Sequence, residues 1–164
     1  MQELWLRPAV DTDLDDVVAL NARSRAVALP FLPILHSLDE DRVFFGAYIT
    51  AKQMTLALAG PQIIGFMAQS PGWIEQLYLD PDWRGQGVGD QLVDRAKSGA
   101  DALELWCFAQ NKPACRFYQR HGFIEKHRTD GDNEAGLPDI LYRWSRAVRL
   151  NDAQRTASQV PNQS

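Results

Sequence analysis

Three glycines alternate in Arg84-Gly85-Gln86-Gly87-Val88-Gly89, and what flanks them constrains this chain more than any other feature. Before them, Trp73 to Leu79 reads as a strand, stopped by Asp80-Pro81-Asp82. After them, Val88, Leu92, Val93 and Ala96 recur at helical spacing until about Gly99. A strand, a glycine-rich turn and a helix are thus forced into succession. Glycine lets backbone N–H groups converge without side chains in the way. A helix start adds free N–H groups and a partial positive charge. Together these predict an anion site suited to a phosphate or pyrophosphate. The dinucleotide fingerprint would need a glycine where Asp90 stands, and no lysine follows as a P-loop requires. On glycine spacing alone, a strand-to-helix turn with no ligand stays open as the alternative.

The remaining chain supplies the elements around this junction. Glu3 to Arg7 reads as a strand closed by Pro8. Thr12 and Asp15 predict a helix start, and Leu14, Val17 and Val18 carry the helix on toward Ala28. Pro30 and Pro33 rule out one continuous helix over Ala28 to Leu35, an apolar stretch read as a loop or broken helix packed on the core. Ser37 with Glu40 repeats the capping signature, ahead of a helix expected to bury Val43, Phe44, Ala47 and Tyr48. Met54 to Ala59, Ile63 to Gln69 and Trp73 to Leu79 are strand-like runs joined by Gly60-Pro61 and Pro71-Gly72, turns short enough to demand antiparallel neighbours. Ala102 to Phe108 predicts a further strand, and Asn111 caps a helix through Arg120 that Gly122 ends. Phe123 to Arg128 and Asp139 to Ser145 are the last strands, with a polar loop from Asp130 to Gly136 between them. This order predicts an α/β (α+β) fold with a mixed sheet.

The 164 residues suit one domain, placed at residues 1–150. Beyond Asn151 the chain is polar apart from Val160, so residues 151–164 are expected to form a flexible C-terminal tail. With 45% hydrophobic and 23% charged residues the composition matches a soluble domain. No run approaches the roughly 18 apolar residues of a membrane helix. Met1-Gln2-Glu3 lacks the basic start of a secretory signal. A net charge of −4 argues against a general nucleic-acid binder. Cys107 and Cys115 form no disulfide framework and no zinc spacing, and read as core thiols of a reducing, cytoplasmic protein. His36, His121 and His127 show no metal-ligand spacing either, so no metal site is expected.

The glycine segment resembles the acetyl-CoA signature of the GNAT superfamily of N-acetyltransferases, Arg/Gln-x-x-Gly-x-Gly/Ala, met here by Arg84, Gly87 and Gly89 with Gly85 also typical. Asn111, Ala114 and Phe117-Tyr118-Gln119-Arg120-His121-Gly122-Phe123 resemble the family's second motif, N-x-x-A-x-x-[FY]-Y-x-x-x-G-F. The resemblance covers about Leu4 to Arg146. It implies a mostly antiparallel central sheet splayed after its fourth strand and flanked by about four helices. It further implies that Leu77, Tyr78 and Leu79 pair with pantetheine amides of acetyl-CoA through their backbones. The loop of Arg84, Gly85, Gln86, Gly87, Val88 and Gly89 would wrap the pyrophosphate, with Asp90 at the helix start. Asn111 would bond the pantetheine arm or the turn beside it, with Ala114 nearby, and Tyr118 would sit near the thioester sulfur.

The implied activity is direct transfer of an acetyl group from acetyl-CoA to a primary amine in a ternary complex. Tyr118 is the candidate general acid for the leaving thiolate, and a strand N–H near Leu77 or Leu79 the candidate oxyanion donor. Glu75 could take the amine proton directly or through water, or be a solvated carboxylate with water alone as base. The amine acceptor is expected between Ala28 to Leu38 and the loop from Asp130 to Asp139, whose carboxylates suit a cation or are simply solvated. Two other functions stay open: a CoA-binding regulatory or interaction module, and an acyltransferase using a longer acyl-CoA. Homodimers are frequent in the family, so a homodimer is a further expectation.

Overall fold

Tight turns between alternating runs leave no room for crossovers, and half of the sheet follows from them. The computed structural model describes residues 3–146; the expected tail from Asn151, and the boundary at residue 150, lie outside them. Strands β1 (Leu4–Pro8), β2 (Met54–Ala59), β3 (Gln62–Ser70) and β4 (Trp73–Leu79) pair antiparallel in that order. Pro8 is accommodated because β1 is an edge strand, where a missing N–H costs no ladder bond. Strands β5 (Ala102–Phe108), β6 (Ile124–Thr129) and β7 (Asp139–Ser145) complete a seven-stranded sheet of order β1-β2-β3-β4-β5-β7-β6. Its one parallel junction, β4 with β5, is reduced to a single pair, Trp73 opposite Glu104. From Ile74 onward the two strands part, which is the expected splay.

Four helices cover the sheet, two on each face. Helices α1 (Leu14–Ala28) and α2 (Leu38–Thr50) bury Val17, Leu20, Phe45 and Ile49 against Leu56, Leu58 and Phe66. Helices α3 (Val88–Ser98) and α4 (Lys112–Arg120) bury Leu92, Val93, Cys115 and Tyr118 against Ile74, Leu103, Leu105 and Tyr142. Strand β4 separates the two clusters. Leu77 and Leu79 pack toward α3 and α4, whereas Tyr78 packs toward α1 and α2. A bulge falls in this strand: Ala68 opposes Gln76 and Gln69 opposes Ile74, so Glu75 is the extra residue.

Three local expectations are corrected. Helix α1 starts at Asp13 rather than Thr12, after a short 3-10 turn. Arg7 grips the Asp13 carboxylate through two bonds of 2.8 and 3.0 Å, and the Val10 N–H donates to it at 2.8 Å. The Arg7 hydrogen bond is the main reason its carboxyl is held below the usual range, against a desolvation that works the other way. The Ser37–Glu40 capping box forms as expected, but the buried face of α2 is carried by Phe45 and Ile49, while Val43, Phe44 and Ala47 are exposed. Gly46 faces Leu14 of α1, where an added Cβ would lie 3.7 Å from the leucine side chain. The segment from Pro30 to Leu35 buries little; Ile34 is 94% exposed.

Candidate active site

The parting of β4 from β5 opens a cleft of about 570 Å³ on the α3/α4 side. Leu77 and Leu79 form one wall, Asn111, Ala114, Phe117 and Tyr118 the other, and Arg84, Gly85 and Gly89 one end. Past Trp73, β4 has no strand partner on this edge, so its backbone amides are open to an extended ligand that adds as a strand. The cleft ends at the start of α3. There Gly87, at φ 84°, offers no capping side chain, and the first-turn N–H groups of Val88, Gly89 and Asp90 stay available to an anion. Gly85, at φ 73°, needs glycine for the same turn. The charged residues lining the cleft are Arg84, Arg116 and Arg120, with no carboxylate among them.

Tyr118 belongs to both the core and the cleft wall. Its ring lies against Phe117 and Phe123, and its hydroxyl makes no hydrogen bond among the described residues. Burial pushes its ionisation far above the ordinary phenol range, with smaller pushes from Cys107, Tyr78 and Cys115. The phenol is therefore a donor at any working pH.

A second cavity, of about 650 Å³, lies on the other face of β4, walled by α1, α2 and the loop after β6. Gln76 and Tyr78 reach it from the strand, Phe44 and Phe45 from α2, Phe108 from β5, and Asn133 and Glu134 from the loop. His36 ties the two rims together, its Nδ1 lying 3.2 Å from Glu40 and its Nε2 2.8 Å from Glu134. Those two carboxylates raise the affinity of the imidazole for its proton, Glu40 more than Glu134.

Comparison with known proteins relates this arrangement to a family. Residues 47–125 match the family described as Acetyltransferase (GNAT) domain. The solved structure of YjaB from Escherichia coli superposes with a TM-score of 0.69 at 27% identity, over 87% of this chain and 97% of that one. Over residues 47–125 the chain is similar to the GNAT superfamily, whose fold it shares. YjaB, named a peptidyl-lysine N-acetyltransferase, is 40% identical over 72 residues, 44% of this chain and 49% of that protein. An uncharacterized N-acetyltransferase, MJ1207 of Methanocaldococcus jannaschii, is 36% identical over 84 residues, 42% of this chain and 37% of that protein. The matched segments thus span less than half the length of these curated relatives. The PaiA N-acetyltransferase of Thermoplasma acidophilum, solved with coenzyme A, shares the fold at a TM-score of 0.72 and 17% identity, over 87% of this chain and 99% of that one.

The residues singled out by the GNAT motifs separate into three groups. Leu77, Leu79, Arg84, Gly85, Gly89, Asn111, Ala114 and Tyr118 line one cleft. Gln86, Gly87 and Val88 build the turn instead: Gln86 bonds the Asp82 carbonyl at 3.2 Å, and Val88 is buried in the core. Gly89 also serves packing, since a Cβ there would meet the Phe117 ring at 3.1 Å. Three candidates fall outside the cleft. Tyr78 turns its side chain to the opposite cavity, as strand alternation requires. Asp90 points at the end of α4, where His121 Nε2 lies 2.7 Å and an Arg120 N–H 3.1 Å from its carboxylate. Burial there works to raise the Asp90 carboxyl, but the His121 hydrogen bond and the neighbouring Arg120 guanidinium outweigh it and hold it low. Glu75, in the bulge, is exposed, lines neither cavity, and accepts a 2.5 Å bond from the Ser70 hydroxyl.

Asn111 caps α4 by accepting from the Ala114 N–H at 3.4 Å, so it shapes the turn beside the cleft as well as lining it. Sequence reading missed Arg116 and Arg120; their spacing of four on a helix was the available signal, since it sets both on one face. It also missed Gly65, where a Cβ would lie 2.8 Å from Leu79 and push that wall into the cleft. The acidic loop contributes Glu134 to the second cavity, but Asp139 is buried under a bond from the Thr129 hydroxyl. Cys107 and Cys115 lie in the core with their sulfurs 3.7 Å apart, and burial pushes the Cys107 thiol up, the opposite of an activated nucleophile. No helix among the described residues is long and apolar enough to cross a membrane, and no cluster of His, Cys, Asp and Glu among them has the makings of a metal site.

Proposed function

We propose that this protein transfers an acetyl group from acetyl-CoA to a primary amine directly, with both substrates bound at once. The observation that carries this reading is the unpaired edge of β4, which leads to the free N–H groups at the start of α3 along a cleft whose charges are all arginines. These groups suit the cofactor part by part. The strand edge would take its amides, the α3 N-terminus and Arg84 its pyrophosphate, and Arg116 and Arg120 the remaining phosphate. Acetyl-CoA would supply an acetyl group activated as a thioester.

The chain's own residues do the rest. Tyr118 donates from a hydroxyl that burial keeps protonated, toward a sulfur that gains charge as it leaves. An N–H on the open edge of β4 near Leu77 or Leu79 stabilises charge on a carbonyl oxygen. Glu75, the one carboxylate of β4, takes the amine proton through water. The amine enters from the second cavity, on the far side of the strand. YjaB, by its name, acts on peptidyl lysine, so a lysine side chain belongs among the acceptors to test. A reducing, cytoplasmic setting keeps Cys107 and Cys115 as thiols.

Release of free thiol from acetyl-CoA, followed across a panel of amines and peptides, tests this reading. Thiol release that needs the amine, with initial-rate lines that converge as both substrates are varied, is the expected result. Cofactor binding without turnover on any amine would make the protein a CoA-binding module. Faster turnover with a longer acyl-CoA would make it a different acyltransferase.

A further inference from the structure

Asn21 is 3% exposed, yet its side chain makes no hydrogen bond among the described residues. The orphaned atom is Oδ1, an acceptor; a buried acceptor left without a donor is costly, and native proteins rarely keep one unless something else satisfies it. Asn21 lines the acceptor-side cavity, and so does Arg25, one turn further along the same face of α1. Arg25 is half-buried and pairs with no carboxylate among the described residues. The carboxylates opposite are not equivalent: His36 occupies Glu40 and Glu134, which leaves Asp41 unpaired. The cavity therefore presents one uncommitted cation and one uncommitted anion to whatever fills it. Its other walls are apolar, with Leu32, Phe44, Phe45 and Phe108. At about 650 Å³ it has the size of a small-molecule site.

From these observations we propose that the acceptor is an α-amino acid with an apolar side chain, its carboxylate held by Arg25 and its amine donating to Asn21 Oδ1. This rests on the acetyl-transfer reading and names the substrate class of that same site. A guanidinium fork matches a carboxylate through two parallel bonds, and the amine one carbon away donates to the Asn21 carbonyl oxygen. The amine of the bound zwitterion faces the negative side of the cavity. Helix geometry places it near the chemistry as well. Ala28 lines the cofactor cleft three residues beyond Arg25, about 1.5 Å of rise each, so a group held at Arg25 lies close to where the two sites meet. An amine on the carbon next to the carboxylate suits that short span.

Equilibrium binding measured without cofactor tests the proposal apart from turnover. Calorimetry compares phenylalanine, its decarboxylated analogue phenethylamine, and a lysine peptide with blocked termini. Wild-type protein should prefer phenylalanine over phenethylamine by roughly 10- to 100-fold, the worth of a charge-assisted carboxylate contact. Arg25→Gln should erase that preference, and Arg25→Lys should keep part of it. Asn21→Leu should weaken phenylalanine binding while raising the melting temperature, because it removes an unsatisfied buried acceptor. Equal binding of the two small ligands, a preference that survives Arg25→Gln, or binding of the lysine peptide alone would overturn the proposal. So would a fall in melting temperature for Asn21→Leu. Failure of acetyl-CoA to bind in a parallel titration would instead strike the acetyl-transfer reading, which this comparison leaves untouched.

Discussion

The two sides of β4 are built by different means. The cleft proposed for the cofactor is made largely of backbone: an unpaired strand edge, a glycine turn and three free N–H groups, with Arg84, Arg116 and Arg120 added. The second cavity, proposed for the acceptor, is made of side chains brought from α1, α2, β4, β5 and the loop after β6, with both signs of charge. A backbone site needs only a few conformations, so it is written in short local motifs. A side-chain site can be rewritten residue by residue without touching the fold.

Breaking the backbone side should have the largest effect. Gly87→Trp places a bulky side chain at a positive φ where only glycine is at ease, directly at the α3 N-terminus. Acetyl-CoA binding should weaken by more than about 100-fold, the scale of losing several charge-assisted bonds to phosphate. Amino-acid binding across the strand should persist. Loss of both would mean that the two sites are not independent.

Tyr118→Phe separates chemistry from binding. It should lower kcat by about 100-fold, within the range for a general acid, with little change in cofactor affinity. Because burial raises the tyrosine's ionisation, the wild-type rate should show no alkaline decline from Tyr118 below about pH 10, the ordinary phenol value. A decline near pH 8 that disappears in the variant would contradict this assignment.

The smallest effect concerns the frame that carries α1 to both sites. Asp13 is held below the usual carboxylate range chiefly by Arg7, so its contribution is complete above that range. It is lost as pH falls below about 4 toward the lowered value. Asp13→Asn should cost about 2 kcal/mol at pH 7 in chemical denaturation, and the difference from wild type should shrink in acid. A constant difference across pH would remove the ion pair from the account.

What the sequence revealed follows the same division. The turn at Gly85 to Gly89, the Asn111 cap and the β2–β3–β4 meander were legible because each is decided within a few residues. The splay was not legible from spacing and came from resemblance, since it depends on how β5 and β7 pair far along the chain. Asp90 looked like part of the anion site because it opens α3, yet partners 30 and 31 residues away claim its carboxylate. The inward face of α2 was misread because aromatic and aliphatic residues surround most of that helix, and its side is decided by packing of Phe45 and Ile49 against α1, β2 and β3. Nothing in the sequence sets Asn21 and Arg25 apart on α1. Their isolation from partners is a property of three-dimensional surroundings that no local pattern encodes.

The central claim is that the fork between β4 and β5 receives acetyl-CoA. Titrating the isotope-labelled protein with acetyl-CoA and following backbone amides by NMR addresses it most directly. The largest shifts should fall on Ile74 to Leu79 and on Gly85 to Asp90, with smaller ones at Asn111 and Arg116. Shifts confined to the α1/α2 face, or none at saturating acetyl-CoA, would contradict it.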